Sequence, residues 1–255
     1  MTTIQSSKKQ ETRAGLLSLL LLLPLGFFFN PAAAQQNPKE NVQTITVGTS
    51  KVWGKIDGMT IEGLVQGPSS ASTALQIACV FEYTEGDIYK SPPALAPELN
   101  GMVHLDEALK GQITAIRKTG KFTGHAFETL LITSSSGVMK ARKLLLIGLG
   151  DRNKFNPELM ISIGRVAMRE ALNLGVDNFA FASDLKDAGI NSPTALVAGN
   201  VTRGIIEAYR TQNYLKDEKM AIFKPVTKVT LLAGPAFFVT AGEGIKEAIA
   251  SFTVK

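Results

Sequence analysis

The sequence predicts an α/β domain: three layers, with a mixed, mostly parallel sheet of about six strands and helices on both faces. Three observations carry this. From residue 44 onward, short apolar runs alternate with segments of helical period. Two of the runs, LQIACVF at 75–81 and KLLLI at 143–147, are apolar almost throughout, as strands covered on both faces are. Between residues 143 and 183 the loops joining strand, helix and strand are short, which implies a right-handed parallel crossover.

Residues 44–47 read as a first short strand. Gly54, Gly58, Gly63 and Gly67 then punctuate the chain and suggest a hairpin or loop around 59–65. The buried strand 75–81 follows. Residues 84–101, with Gly86, Pro92, Pro93, Pro97 and Gly101, read as a loop. A helix is expected over 105–118, where Leu105, Leu109, Ile113 and Ile116 share one face and Thr119-Gly120 closes it. Strands are expected at 127–133 and 143–147, with a turn at 134–137.

The unit 143–183 is the clearest. Its first strand ends at Gly148-Leu149-Gly150. Asn156 is a good helix N-cap, with Pro157 at the first helical position and Glu158 in the positive first turn. Met160, Ile163, Ala167, Ala171 and Leu174 lie on one face, and Gly175 is placed as the C-terminal cap. A strand at 179–182 completes it. Ser192-Pro193 opens a further helix carrying Val197, Val201, Ile205 and Ala208 on one side. A strand at 228–232 and a helix at about 242–250 end the chain.

Composition narrows the function. Of 255 residues, 45% are hydrophobic and 19% charged, which supports a folded core rather than disorder. One cysteine, Cys79, excludes an intramolecular disulfide framework, and two histidines exclude a histidine-rich metal centre. The first 34 residues stand apart. Lys8, Lys9 and Arg13 precede an apolar run over 16–29, and Ala32 and Ala34 stand at the −3 and −1 positions of a cleavage site. This is the layout of a secretory signal peptide. The run is short of the ~20 residues that span a bilayer, although a retained N-terminal anchor is the alternative. Residues 1–34 are thus expected to be a signal, 35–43 a flexible leader and 44–255 the folded domain. The expected location is exported, periplasmic or secreted, with no stable membrane insertion after cleavage. Loss of Lys8, Lys9, Arg13 and Glu11 lowers the net charge from +5 to about +3. That balance gives no reason to expect nucleic acid as a partner.

The candidate ligand-binding residues are Gly148, Gly150, Asp151 and Asp184. Gly148 and Gly150 follow a strand and precede a helix, where unpaired helix amides receive phosphates. The third glycine of a dinucleotide fingerprint is missing, because Asn153 stands there, and a turn that needs glycine dihedrals accounts for the pair better than a ligand does. Asp184 and Asp187 follow a strand end at the sheet's carboxyl edge. His104 and His125 read as a helix-start and a turn residue, with His125 and Glu128 three apart on opposite faces of a strand. Ser134-Ser135-Ser136-Gly137 lacks the surrounding glycine pattern of a nucleophile elbow. Cys79 reads as a small buried hydrophobe. No catalytic residue, metal ligand or cofactor is predicted.

Residues 144–183, LLLIGLGDRNKFNPELMISIGRVAMREALNLGVDNFAFAS, resemble the N-terminal domain of the leucine (cytosol) aminopeptidase family. The segments His104-Leu105-Asp106, Gly111 and Lys121-Phe122-Thr123-Gly124 upstream, and AGNVTRGIIEAYR at 198–210 downstream, resemble it in order and spacing. The resemblance spans about residues 60–250. It implies a macro-domain-like fold. It also implies that peptidase chemistry resides in a separate C-terminal domain, with metal-binding motifs such as Asn-Thr-Asp-Ala-Glu-Gly-Arg-Leu that have no counterpart here. A two-metal hydrolase needs clustered carboxylates, and the acids of this chain are scattered. The expectation is therefore a non-catalytic domain acting in protein interaction or assembly, by self-association or with a catalytic aminopeptidase. The alternatives are a phosphate- or ADP-ribose-binding module, or one part of a split metalloaminopeptidase.

Overall fold

The computed structural model describes residues 45–90, 94–135 and 137–253. The expected signal and leader, residues 1–43, lie outside the described residues. Among the described residues seven strands form one sheet: β1 (Ser50–Ile56), β2 (Met59–Val65), β3 (Leu75–Val80), β4 (Thr129–Thr133), β5 (Lys143–Gly148), β6 (Asn178–Ala182) and β7 (Lys228–Ala233). Their order is β1-β2-β7-β6-β3-β5-β4. The five central strands run parallel, and β1 and β4 are antiparallel edges.

The pleat of β3 and β5 explains the three layers. Leu75, Ile77 and Cys79, with Leu145 and Ile147, face one core; Ala78 and Val80, with Leu144 and Leu146, face the other. Helices α4 (Leu159–Asn173), α5 (Thr194–Asp217) and α6 (Phe238–Ser251) supply the first core. Helices α2 (Gly101–Ala108) and α3 (Gln112–Lys118), with the short α1 (Asp87–Lys90), supply the second. An all-apolar run buries both faces, so these strands are readable from sequence.

Four expectations need correction. The strand placed at 44–47 is not there: residues 45–47 are loop and turn, and residue 44 lies outside the described residues. The first strand is β1, an exposed edge whose polar SKVWGK lead hides it from an apolar-run search. It joins β2 through Asp57-Gly58, both at positive φ (50° and 80°), the two-residue turn that matches strand twist. This brings the sheet to seven strands. The single helix expected over 105–118 is two, because Lys110 and Gly111 adopt φ of 56° and 78°. The loop expected at 84–101 contains α1 and a 3-10 turn at Pro97–Leu99. Finally, α4 starts at Leu159, shortly after Pro157, although Asn156 Oδ1 does accept the Glu158 amide at 2.9 Å.

At the other end of α4 the glycine cap is as expected. Gly175, at φ 65°, donates to the Leu172 carbonyl and Val176 donates to that of Ala171. This crossed pair is a Schellman motif. Among the described residues no helix is long and apolar enough to cross a membrane.

Candidate functional site

Parallel neighbours end together. Val65 of β2 is in register with Ala233 of β7, and β6 ends beside them at Ala182. Their following loops, 66–70, 234–237 and 183–187, therefore converge at one edge of the sheet. The topology changes direction there. From β3 the chain crosses to α2 on one face, whereas from the adjacent β6 it crosses to α5 on the other. Loops that leave in opposite directions open a crevice, the usual ligand position in open α/β sheets.

A cleft of about 500 Å³ occupies this edge. Val65, Phe181, Leu231, Val197 and Val201 contribute an apolar lining. Gln66, Ser69, Ser70, Ser192 and Thr194 add polar groups. The segment 95–104 forms the facing wall with Leu95, Leu99 and His104. A cleft of this size, mainly apolar with a few polar groups, suits a small organic ligand.

Two helices begin at this cleft. The helices α5 and α6 start at Thr194 and Phe238, and neither has a side-chain N-cap hydrogen bond. Residues at both starts line the cleft. Their first amides carry partial positive charge and attract anions. The Thr194 hydroxyl is buried without a hydrogen-bond partner. Lys186 adds a cation: its Nζ donates to the Ser192 carbonyl at 2.8 Å and lies 5.3 Å from the Phe237 ring centre.

Asp184 and Asp187 also line the cleft. Asp184, at φ 53°, accepts the Cys79 amide on Oδ2 at 3.2 Å, which ties the loop after β6 to β3. Asp187 Oδ2 accepts the Gly101 amide at 2.8 Å, and its carbonyl accepts from Asn100 Nδ2 at 3.1 Å and from the Leu95 amide at 3.2 Å. Burial pushes both carboxyls up. At Asp184 the neighbouring Asp187 charge and the hydrogen bond to it push further in the same direction. Burial, and next the Asp184 charge, likewise raise the Cys79 thiol, so it stays protonated.

Of the four sequence candidates, only Asp184 lines the large cleft. Gly148, Gly150 and Asp151 lie at the end of β5. A side chain at Gly148 would overlap the His125 carbonyl, and Gly150 exchanges backbone bonds with Gly124 and Glu82 at 3.0 and 2.9 Å. These glycines let the 124–126 segment pack directly on the strand end. Asp151 accepts the Asn153 amide at 2.9 Å, which together with nearby Lys154 holds its carboxyl below the ordinary value. His125 bonds Glu82 at 2.7 Å, while Glu128 accepts the amides of Thr123, Gly124 and His125 on one oxygen. His104 lies on the cleft wall as part of α2. Among the described residues, no group of three or more His, Cys, Asp or Glu side chains could hold a metal ion.

The sequence alone does not single out the 66–70 loop, Lys186, Thr194 or the 234–237 loop. The signal of the two loops is turn residues directly after a strand's carboxyl end: Gly67-Pro68-Ser69-Ser70 and Gly234-Pro235.

Residues 90–219 match the model of the cytosol aminopeptidase family, N-terminal domain. The chain belongs to this family. It is 31% identical over 128 residues to a probable cytosol aminopeptidase of Roseiflexus castenholzii, covering 50% of this chain and 26% of that protein. The alignment thus spans about a quarter of the relative's length. In structure the domain is similar to a mutant tomato leucine aminopeptidase, with a TM-score of 0.56 and 18% identity over 74% of this chain and 35% of that one. It is also similar to a mutant Oceanobacillus iheyensis macrodomain, with a TM-score of 0.54 and 14% identity over 83% and 97%. At such identities these likenesses establish the fold, an aminopeptidase-type N-terminal domain with macrodomain architecture.

Proposed function

We propose that this domain of the cytosol aminopeptidase family works by binding, without peptidase chemistry of its own, and that its cleft takes a phosphate-bearing organic ligand of nucleotide size. The observation that carries this is a cleft of about 500 Å³ onto which two helices open without side-chain caps. The apolar lining suits a flat ring, and the helix amides with Lys186 suit an anionic group. A macrodomain of the same architecture, a further mutant of the O. iheyensis protein, is known with ADPR. ADP-ribose, ADP and inorganic phosphate are accordingly the probes. At millimolar ADP-ribose the melting temperature is expected to rise, and Lys186→Ala is expected to reduce the rise. No shift with any of the three removes the reading.

A second reading is favoured by a separate observation. Tyr214, Met220 and Ile222 are 64%, 73% and 101% exposed at and beyond the end of α5. Apolar exposure of this kind marks protein contact, so assembly with itself or with a catalytic aminopeptidase is the alternative. Light scattering of the native chain and of Ile222→Asp tests it: a monomer in both cases, with no aminopeptidase retained, excludes it. Metal-supplemented hydrolysis of leucine p-nitroanilide by the pure chain is expected to be absent; clear turnover would refute the non-catalytic reading. Export is also proposed, supported by the basic, apolar and Ala-x-Ala order of the first 34 residues. The exported fraction should carry a chain beginning at Gln35.

A further inference from the structure

We propose that β4 is a docking edge whose occupant is β4 of a second copy of this chain, so that two sheets join antiparallel across a two-fold axis at Leu131. This goes beyond the assembly reading above, because it uses a different surface and either can fail alone.

The free edge follows from the pairing pattern. Antiparallel neighbours exchange main-chain bonds at every second residue. Ser134 donates to the Arg142 carbonyl at 2.9 Å, and Gly148 donates to that of Glu128 at 2.8 Å. The bonds to β5 therefore fall on the even-numbered residues, Leu130 and Ile132 among them. Thr129, Leu131 and Thr133 turn their N–H and C=O groups the other way, where among the described residues no strand pairs with β4. A row of unpaired main-chain groups is a template for another strand.

The two edges of the sheet differ in how they meet this hazard. The β1 edge carries Lys51 and Lys55, and its register shifts between Val52 and Gly54. Charge and an interrupted register both discourage edge-to-edge pairing. By contrast β4 reads TLLIT, holds no charge and keeps an unbroken register with β5. Leu130 and Ile132 fix the strand on the second core. Leu131, on the opposite face, is 42% exposed between two exposed threonines. Burial of one face does not account for an apolar residue on the other.

A second copy fits because the strand is complementary to itself. A two-fold axis at Leu131 sets Leu131 opposite Leu131 and Thr129 opposite Thr133, so each outward-bonding residue meets another. Other antiparallel registers leave at least one of these three residues outside the pairing. An apolar pair at the centre with threonines to either side is a favourable cross-strand set, and no charge faces a like charge. The adjacent acid, Glu128, is held within its own copy by the amides of Thr123, Gly124 and His125. A contact one strand wide falls below the roughly 1,200–2,000 Å² of standard interfaces, so the dimer depends on concentration.

Sedimentation and residue-resolved amide exchange of the native chain, from about 10 µM to about 1 mM, test this. The mass should move from monomer toward dimer. The Thr129, Leu131 and Thr133 amides should slow roughly tenfold over that range, while those of Leu130 and Ile132 stay as they are. Leu131→Lys and Leu131→Glu each replace an apolar pair by a like-charge pair and should weaken association roughly tenfold. An equal mixture of the two should recover it, because the axis sets position 131 opposite itself. The exchange pattern of the native chain decides the matter even if a variant fails to fold. Ile222→Asp should leave this dimer intact. Three outcomes overturn the proposal: a monomer at every concentration, protection of the three amides that does not change with concentration, or a dimer lost in Ile222→Asp and kept in Leu131→Lys. The last leaves the assembly reading standing, and none bears on the ligand experiment.

Discussion

Replacing Arg117 by alanine is expected to destabilise the domain by about 3–5 kcal/mol, the range for breaking one side of a buried ion pair. The Arg117 side chain is 0% exposed and that of Asp87 is 15% exposed. Arg117 Nη1 and Nη2 grip the two oxygens of Asp87 at 3.0 and 2.6 Å, and Nη2 also donates to the Phe81 carbonyl at 2.7 Å. This one side chain joins α3 to the four-residue α1 and to the residue just beyond β3. Its removal leaves the Asp87 carboxylate without its partner, the Phe81 carbonyl without its side-chain donor, and a void in the second core. The penalty is mainly that of stranded polar groups. Arg117→Met keeps much of the volume, so adding Asp87→Leu to it should recover a large part of the loss. Denaturant unfolding of the two single variants and the double one forms the cycle. A double variant that loses the sum of the singles would show that the pair is not coupled. The effect should change little between low and high salt, because the pair is shielded from solvent.

How much of this is legible in the sequence follows from the same kind of detail. LQIACVF and KLLLI announce themselves because both faces are buried, and Gly175 because a left-handed cap favours glycine. The edge strand β1 does not, because most of its side chains meet water and its period is lost. The break at Lys110-Gly111 is hidden because the apolar positions on either side keep helical spacing. At the site, the difficulty is topological. The cleft is assembled from loops near residues 66, 183 and 234, and only the order β2-β7-β6 brings them together. No local pattern contains that order. Gly148 and Gly150 draw attention through their spacing, yet they accommodate a neighbouring backbone segment. Asp184 can be found because it lies two residues beyond a strand end, the one site rule that needs no knowledge of strand order.

Gly204→Ala should destabilise the domain by about 1–3 kcal/mol or more, although alanine is the better helix former by roughly 1 kcal/mol. In a solvent-facing helix the substitution would stabilise. Here the sign reverses because Gly204 of α5 faces Ile161 of α4, and a methyl group would overlap the Ile161 carbonyl oxygen. The contact is reciprocal: a methyl at Gly164 of α4 would overlap the Val201 carbonyl oxygen. The two helices therefore touch backbone to backbone at two points. A flexible side chain could swing aside, but a carbonyl cannot move without shifting its helix. Because α5 also packs on α6, a displacement at Gly204 is transmitted across the first core. Its lining residues Val197 and Val201 lie on the same helix, so the cleft should lose definition along with stability. Thermal unfolding compared with Gly67→Ala supplies the control, because Gly67 has open space where its methyl would go and an ordinary φ. A Gly204→Ala variant as stable as that control would show that the α4–α5 interface yields, and that the glycines there are not fixed by packing.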